Sequence, residues 1–240
     1  MRRLFLLSAI GSTVVAATSA RAATLFTDGG THTVSGSSGE VAVAYGTTVN
    51  VVEGAMIWAP GVFGHPAPAI SVFDAVLNVS GGSVRGGDKL TLGGYAGIAV
   101  GAHNARLDIS GGSFRGGDIP FGYAGGYALV ADGLTTFTIS GGTFVGGDEQ
   151  VGGQEGFAGG GAHFEFRAVG RISGGSFSEG AVGRSFLGSL STGDDVVLDV
   201  LGGTFTGDWV LTGRSIAWSS SNGLVAGVSS NGMVTGLVAG

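Results

Sequence analysis

The sequence predicts an all-β fold, a parallel β-solenoid with coils of about thirty residues each. Three observations predict it: a segment recurs at near-constant spacing, apolar and polar residues alternate within each copy, and a glycine pair follows at a fixed offset. A period of two is the signature of a strand whose side chains point alternately to two sides. Adjacent glycines reach backbone angles closed to other residues, which suits a corner between strands. One such unit cannot bury its apolar side alone. Copies are therefore expected to stack about 4.8 Å apart and to bury their inward side chains in one continuous column.

The first element is a leader, assigned to residues 1–22. Arg2 and Arg3 give a positive start, Leu4 to Val15 form an apolar stretch, and Ala20-Arg21-Ala22 supplies small residues for cleavage. Removing Arg2, Arg3 and Arg21 takes the net charge from −6 to −9. No later run reaches the ~20 apolar residues that span a bilayer. The expectation is a bacterial export signal and a secreted or cell-surface product, at the outer membrane or outside the cell, with no membrane span in the mature chain. Residues 23–40 are then read as an N-terminal cap.

The solenoid is expected over residues 41–210. Its clearest copies are Leu77-Asn78-Val79-Ser80-Gly81-Gly82-Ser83-Val84, Leu107-Asp108-Ile109-Ser110-Gly111-Gly112-Ser113-Phe114 and Phe137-Thr138-Ile139-Ser140-Gly141-Gly142-Thr143-Phe144. Looser copies run from Arg171 to Phe177 and from Leu198 to Phe205, so the positions just before the glycine pairs are 80, 110, 140, 173 and 201, in steps of 30, 30, 33 and 28. A degenerate copy, Val49 to Met56, precedes the first by one such step. About ten positions ahead of each glycine pair a second apolar segment recurs, at Ile98-Ala99-Val100 and Ala128-Leu129-Val130, with an echo at Val41-Ala42-Val43. Each coil should thus hold about three short strands joined by glycine corners. Val84, Phe114, Phe144, Phe177 and Phe205 share the parity of the inward residues, which predicts a stack of rings at the axis, with Met56 and Met233 filling that place in the outermost copies.

Composition narrows the function. With 43% hydrophobic and 12% charged residues the chain should fold despite its 51 glycines. A net negative chain with one lysine, Lys89, offers no basic surface to nucleic acid. The absence of cysteine excludes disulfides and thiolate metal sites. No phosphate loop, nucleophile elbow or zinc spacing occurs, and corners account for the glycine pairs.

The Ile-Ser-Gly-Gly-(Ser/Thr)-Phe units resemble the right-handed parallel β-helix repeats of bacterial surface proteins, autotransporter passenger domains and related adhesins, over roughly residues 41–210. The resemblance implies a right-handed coil and a surface role. An autotransporter would also need a membrane barrel of about 8 or more strands, so the chain is either a solenoid secreted by another route or a fragment. Residues 211–240, with Ile216-Ala217-Trp218 and Asn231-Gly232-Met233-Val234-Thr235-Gly236, resemble the middle of a bacterial Ig-like group 2 domain. A terminal coil or cap is the competing reading of the same segment.

Candidate chemistry sits in two outward columns. Arg85 and Arg115 form one, and Asp88, Asp118 and Asp148 the other. Carboxylates so close must be neutralised by arginines, by a proton, or by a calcium ion on oxygen ligands. Asp88, Asp118 and Asp148 are thus the candidate calcium ligands; no other cofactor is expected, and no residue is assigned a catalytic role. His103 and His163 stand at different offsets from their glycine pairs and should not stack, while His163-Phe164-Glu165 puts two ligand types on one strand face, short of a metal site. Protruding segments at 149–160 and Ala59 to Pro68 are places where binding could reside. The resulting expectation is an exported, non-enzymatic surface or matrix module acting in adhesion or as an extended structural element. Its partners would be an extracellular glycan or protein, with end-to-end self-association through open strand edges. The alternative is a polysaccharide lyase or hydrolase built on the Asp and Arg columns, which needs acids and a base grouped in a cleft.

Overall fold

The computed structural model describes residues 13–14, 23–62, 66–90, 94–119, 124–149, 157–181, 188–211, 226–228 and 234–236. Three parallel sheets of eight, eight and seven strands run side by side along one axis, a parallel β-solenoid of the right-handed type. Each coil gives one strand to each sheet in turn. Sheet 1 contains Val41–Ala44, Ile70–Phe73, Val100–His103, Leu129–Asp132, Ala162–Phe164 and Leu190–Thr192. Sheet 2 contains Thr48–Val51, Val76–Val79, Arg106–Ile109, Thr136–Ile139, Val169–Ile172 and Val197–Val200. Sheet 3 contains Met56–Trp58, Ser83–Arg85, Ser113–Arg115, Thr143–Val145, Ser176–Ser178 and Thr204–Thr206. Along sheet 1 the paired residues Val41, Ile70, Val100, Leu129, Ala162 and Leu190 mark five full turns, of which the one from Leu129 to Ala162 is the longest. Shorter turns flank them: Thr24–Phe26, Thr31–Val34 and Ser37–Ser38 pair below, and Trp209–Leu211 pairs above.

Alternation decides which side chains enter the core. In Arg106–Ile109 the burial pattern is exposed, buried, intermediate, buried, so Leu107 and Ile109 point inward and Asp108 outward. Phe114, Phe144 and Phe177 are wholly buried, and their rings stack with centroids 4.7 and 4.6 Å apart and planes within 6° of parallel. Phe205 continues the stack at 4.9 Å. Size is exchanged between facing positions: Ala131 and Phe137 in one coil give way to Phe164 and Gly170 in the next. The rings of Phe137 and Phe164 lie 4.1 Å apart, and a Cβ on Gly170 would collide with Phe137. Core volume is conserved although the residues change, the kind of substitution a packed interior tolerates.

The structure corrects three expectations. Met56 does not fill the ring column: it pairs with Ser83 and is exposed, whereas Ile57 pairs with Val84 and is buried. The cause is one extra corner residue, because Glu53-Gly54-Ala55 spans the turn that Gly81-Gly82 makes in the next coil. Second, equal spacing places Val130 beside Val100, but Val100 pairs with Leu129; the slip is absorbed where Gly133-Leu134-Thr135 replaces Asn104-Ala105. Third, glycine does not make every corner. Among the described residues all six non-glycine positive φ angles, at Tyr45, Asp74, Asn104, Phe166, Arg167 and Asp195, fall at the turn from sheet 1 to sheet 2.

Of the leader, only Thr13–Val14 is described, as a short strand pairing with residues of Thr31–Val34. Met233 lies outside the described residues, as do 63–65 and 150–156 of the segments 59–68 and 149–160. Ala226–Val228 and Val234–Gly236 pair antiparallel, apart from the three parallel sheets. No helix among the described residues is long and apolar enough to cross a membrane.

Candidate functional site

The two charged columns meet in one ladder at the edge of sheet 3. Ser83–Arg85 and Ser113–Arg115 pair in register, which sets Arg85 beside Arg115, and the turn after each strand brings Asp88, Asp118 and Asp148 alongside. Arg85 donates to Asp88 and to Asp118, both at 2.9 Å. Arg115 reaches Asp118 at 3.1 Å and Asp148 at 2.7 Å. Each carboxylate also accepts a backbone N–H from the coil above: Asp88 from Asp118, Asp118 from Asp148, and Asp148 from Ala181, at 2.6–2.8 Å. Burial acts to lower the Arg115 pKa, yet the charges and hydrogen bonds of Asp118 and Asp148 hold it above its ordinary value. Arginines thus supply the neutralisation that the aspartates require. Among the described residues no group of three or more histidine or acidic side chains is arranged to hold a metal ion.

His103 and His163 lie in different columns. His103 stacks on Phe73 at 5.1 Å and bonds Asp132 at 2.6 Å. His163 stacks on Tyr127 at 5.1 Å, and its two ring nitrogens bond Ser191 at 2.7 Å and Glu165 at 2.5 Å. His32 repeats the arrangement, with Phe26 at 4.5 Å and Asp28 at 2.8 Å. The chain from Ser191 through His163 to Glu165 has the hydrogen-bond order of a nucleophile, a base and an orienting acid. Ser191, however, is only 3% exposed and is not presented to a substrate. Burial pushes the Tyr127 phenol up to about 12; its hydrogen bond with Ser191 opposes the rise and the Glu165 charge adds to it.

Two features escape a reading of spacing. One is a strip along the corner between sheets 1 and 2, where Tyr45, Phe73, Leu134 and Phe166 are 71%, 46%, 65% and 63% exposed. Tyr45 and Phe166 hold φ of 58° and 46°, where Gly133 turns the intervening coil without strain. A bulky side chain in that conformation costs on the order of 1–3 kcal/mol. The other is a shallow groove of about 380 Å³ across sheet 2 and its corner with sheet 3, lined by Asn50, Asn78, Asp108 and Thr138 and by Ser80, Ser110 and Ser140. Asn78 donates to Asn50 across coils at 2.8 Å. The signal for the first was present in Asp74 and Asn104, residues that tolerate left-handed turns.

No family model, no curated protein and no solved structure matches the chain.

Proposed function

We propose that this chain is an exported, non-enzymatic β-solenoid that acts at a bacterial cell surface or in its matrix, in adhesion or as an extended structural module, in the manner of passenger-type surface proteins. The arrangement of its outward polar groups carries the reading. Arg85 and Arg115 in two successive coils, and Asp88, Asp118 and Asp148 in three, bond to the coils above and below instead of converging on one place. A group copied by the repeat stiffens a scaffold; catalysis asks for a unique cluster of acid and base in a cleft. Composition agrees, since a net negative chain with one lysine offers no basic surface to nucleic acid.

The test is twofold. The exported chain is incubated with neutral and acidic polysaccharides while product ends are measured, and in parallel its retention on bacterial cells and extracellular matrix is measured. Retention without turnover is expected. Turnover that disappears in Asp118→Ala would transfer the protein to the polysaccharide-active enzymes.

A further inference from the structure

We infer that the outer face of sheet 2, with the corner strip beside it, is a binding site for an extended, uncharged polysaccharide lying along the solenoid axis. The inference rests on the adhesion reading above and names the partner.

Two kinds of group border this face. On the sheet 1 side one large apolar or aromatic residue is set out per coil: Tyr45, Phe73, His103 stacked on Phe73, Leu134 and Phe166. Successive coils are about 4.8 Å apart, close to the advance per residue of an extended pyranose chain. Phe73 and His103 stack on each other across coils and so present their edges, and Tyr45, Leu134 and Phe166 their exposed apolar surface, to the C–H groups of sugars. On the sheet 3 side runs the groove, with the amides of Asn50 and Asn78, the Asp108 carboxylate and the hydroxyls of Ser80 and Ser110 at the same repeat. These groups match hydroxyl-bearing ligands in both donor and acceptor sense. The groove's Asn50, Asn78 and Asp108 stand at the third position of the four-residue sheet 2 strands, so strip and groove lie within one strand length of each other, roughly 13 Å.

The charge on the face favours an uncharged chain. Asp74, Asp108 and Asp199 lie along it; Arg106 is held by Asp108 at 2.8 Å and Arg171 by Asp199 at 3.3 Å, and Arg167, exposed at the corner beside Phe166, is outnumbered by the carboxylates. A uronate or sulfated chain meets more carboxylates there than unpaired cations. Strain points the same way as exposure. Tyr45 and Phe166 occupy left-handed positions that glycine fills at Gly133, and both leave their rings in solvent. Neither choice helps the isolated fold, and a strained exposed ring is accounted for when it contacts a ligand.

Affinity electrophoresis of the full chain through gels holding a soluble β-glucan, a xylan, a mannan, pectate or alginate tests the assignment. Retardation by at least one neutral polymer is expected, with affinity falling tenfold or more in Phe73→Ala, Tyr45→Gly and Phe166→Gly. Met56→Ala, which removes an exposed side chain from sheet 3, should bind unchanged. The two glycine variants should melt at the same temperature as the parent or higher, because they relieve the left-handed strain, so lost binding cannot be ascribed to lost folding. Retardation by no polymer, by the acidic polymers alone, or equally in all variants overturns the assignment. Retention on cells that survives in the glycine variants would overturn this site while leaving the adhesion reading in place; loss of all surface retention by the parent would remove both.

Discussion

Replacing Phe144 by alanine tests the stacked core most directly. Its ring is wholly buried and lies between Phe114 at 4.7 Å and Phe177 at 4.6 Å, with planes inclined by 6° and 4°. Truncating a buried phenylalanine costs about 3–5 kcal/mol. Two parallel neighbours, each contributing roughly 0.5–1.5 kcal/mol, place Phe144→Ala at the upper end of that range. Phe144→Leu keeps most of the apolar area and loses the stacking, so about 1–3 kcal/mol is expected from the same contacts. Phe205 is the internal control. It is only partly buried, stacks on Phe177 at 4.9 Å and meets Trp209 edge-on at 4.8 Å. Phe205→Ala should cost about half as much as Phe144→Ala, because less surface leaves water there. Urea unfolding followed by circular dichroism gives each cost, provided that the slope with denaturant is unchanged. A double-mutant cycle on Phe114 and Phe144 isolates their contact. Equal costs at positions 144 and 205, or a coupling below about 0.3 kcal/mol, would refute the stack as a source of stability.

Further outcomes are expected. Gly116→Ala should abolish folding or cost several kcal/mol, since its Cβ would fall on the Gly126 carbonyl; Gly29→Ala, with open space but a φ of 72°, should cost about 1 kcal/mol by the same melting assay. Asp118→Ala should destabilise by about 2–3 kcal/mol, because it strips two arginines and the Asp148 N–H of their acceptor. Added calcium or a chelator should leave the melting temperature unchanged, and a rise with calcium would assign Asp88, Asp118 and Asp148 to the metal. Tyr127 keeps its proton in the folded state up to about 12, whereas the unfolded phenol loses it near its ordinary value of 10.0. Stability should therefore be intact below pH ~10 and fall as pH rises toward ~12, a loss that Tyr127→Phe removes. Asp28 has the opposite sign: the hydrogen bond from His32 holds its carboxyl below the ordinary 3.8, so its contribution is present above that pH and lost on further acidification. Asp28→Asn should flatten the acid limb of the melting curve.

The fold was legible because a solenoid writes its core into the sequence at a fixed period. Phe114, Phe144 and Phe177 could be placed on one axis from their offsets, and so could Arg85 beside Arg115. Legibility failed wherever a coil gained a residue. Met56 left the core because the corner before it is longer by one, and in a strand a slip of one exchanges inside for outside. The sheet 1 to sheet 2 corner was hidden for another reason. Asp74, Asn104 and Asp195 carry a turn signal, but Tyr45, Phe166 and Arg167 carry none, so their left-handed conformation follows from the coils packed on either side. His163 and Glu165 could be set on one strand face from their spacing, whereas Ser191 joins them only through pairing between coils.

Each of the central turns returns from sheet 3 to sheet 1 through a neck made of main chain. The N–H of Gly97 bonds the Gly87 carbonyl, and the series continues through Gly117, Gly126, Gly147 and Gly159 to Gly180 at 2.8–3.0 Å. Closure there is made by backbone groups, while beyond the neck Ile119, Ala124 and Glu149 are buried and bridge to neighbouring coils. The turn from Leu129 to Ala162 is longer than its neighbours and keeps the same bonds at Gly147 and Gly159. Such a design separates inheritance of shape from inheritance of length: the main-chain bonds at Gly147 and Gly159 hold the coil on its axis while the number of residues per turn varies.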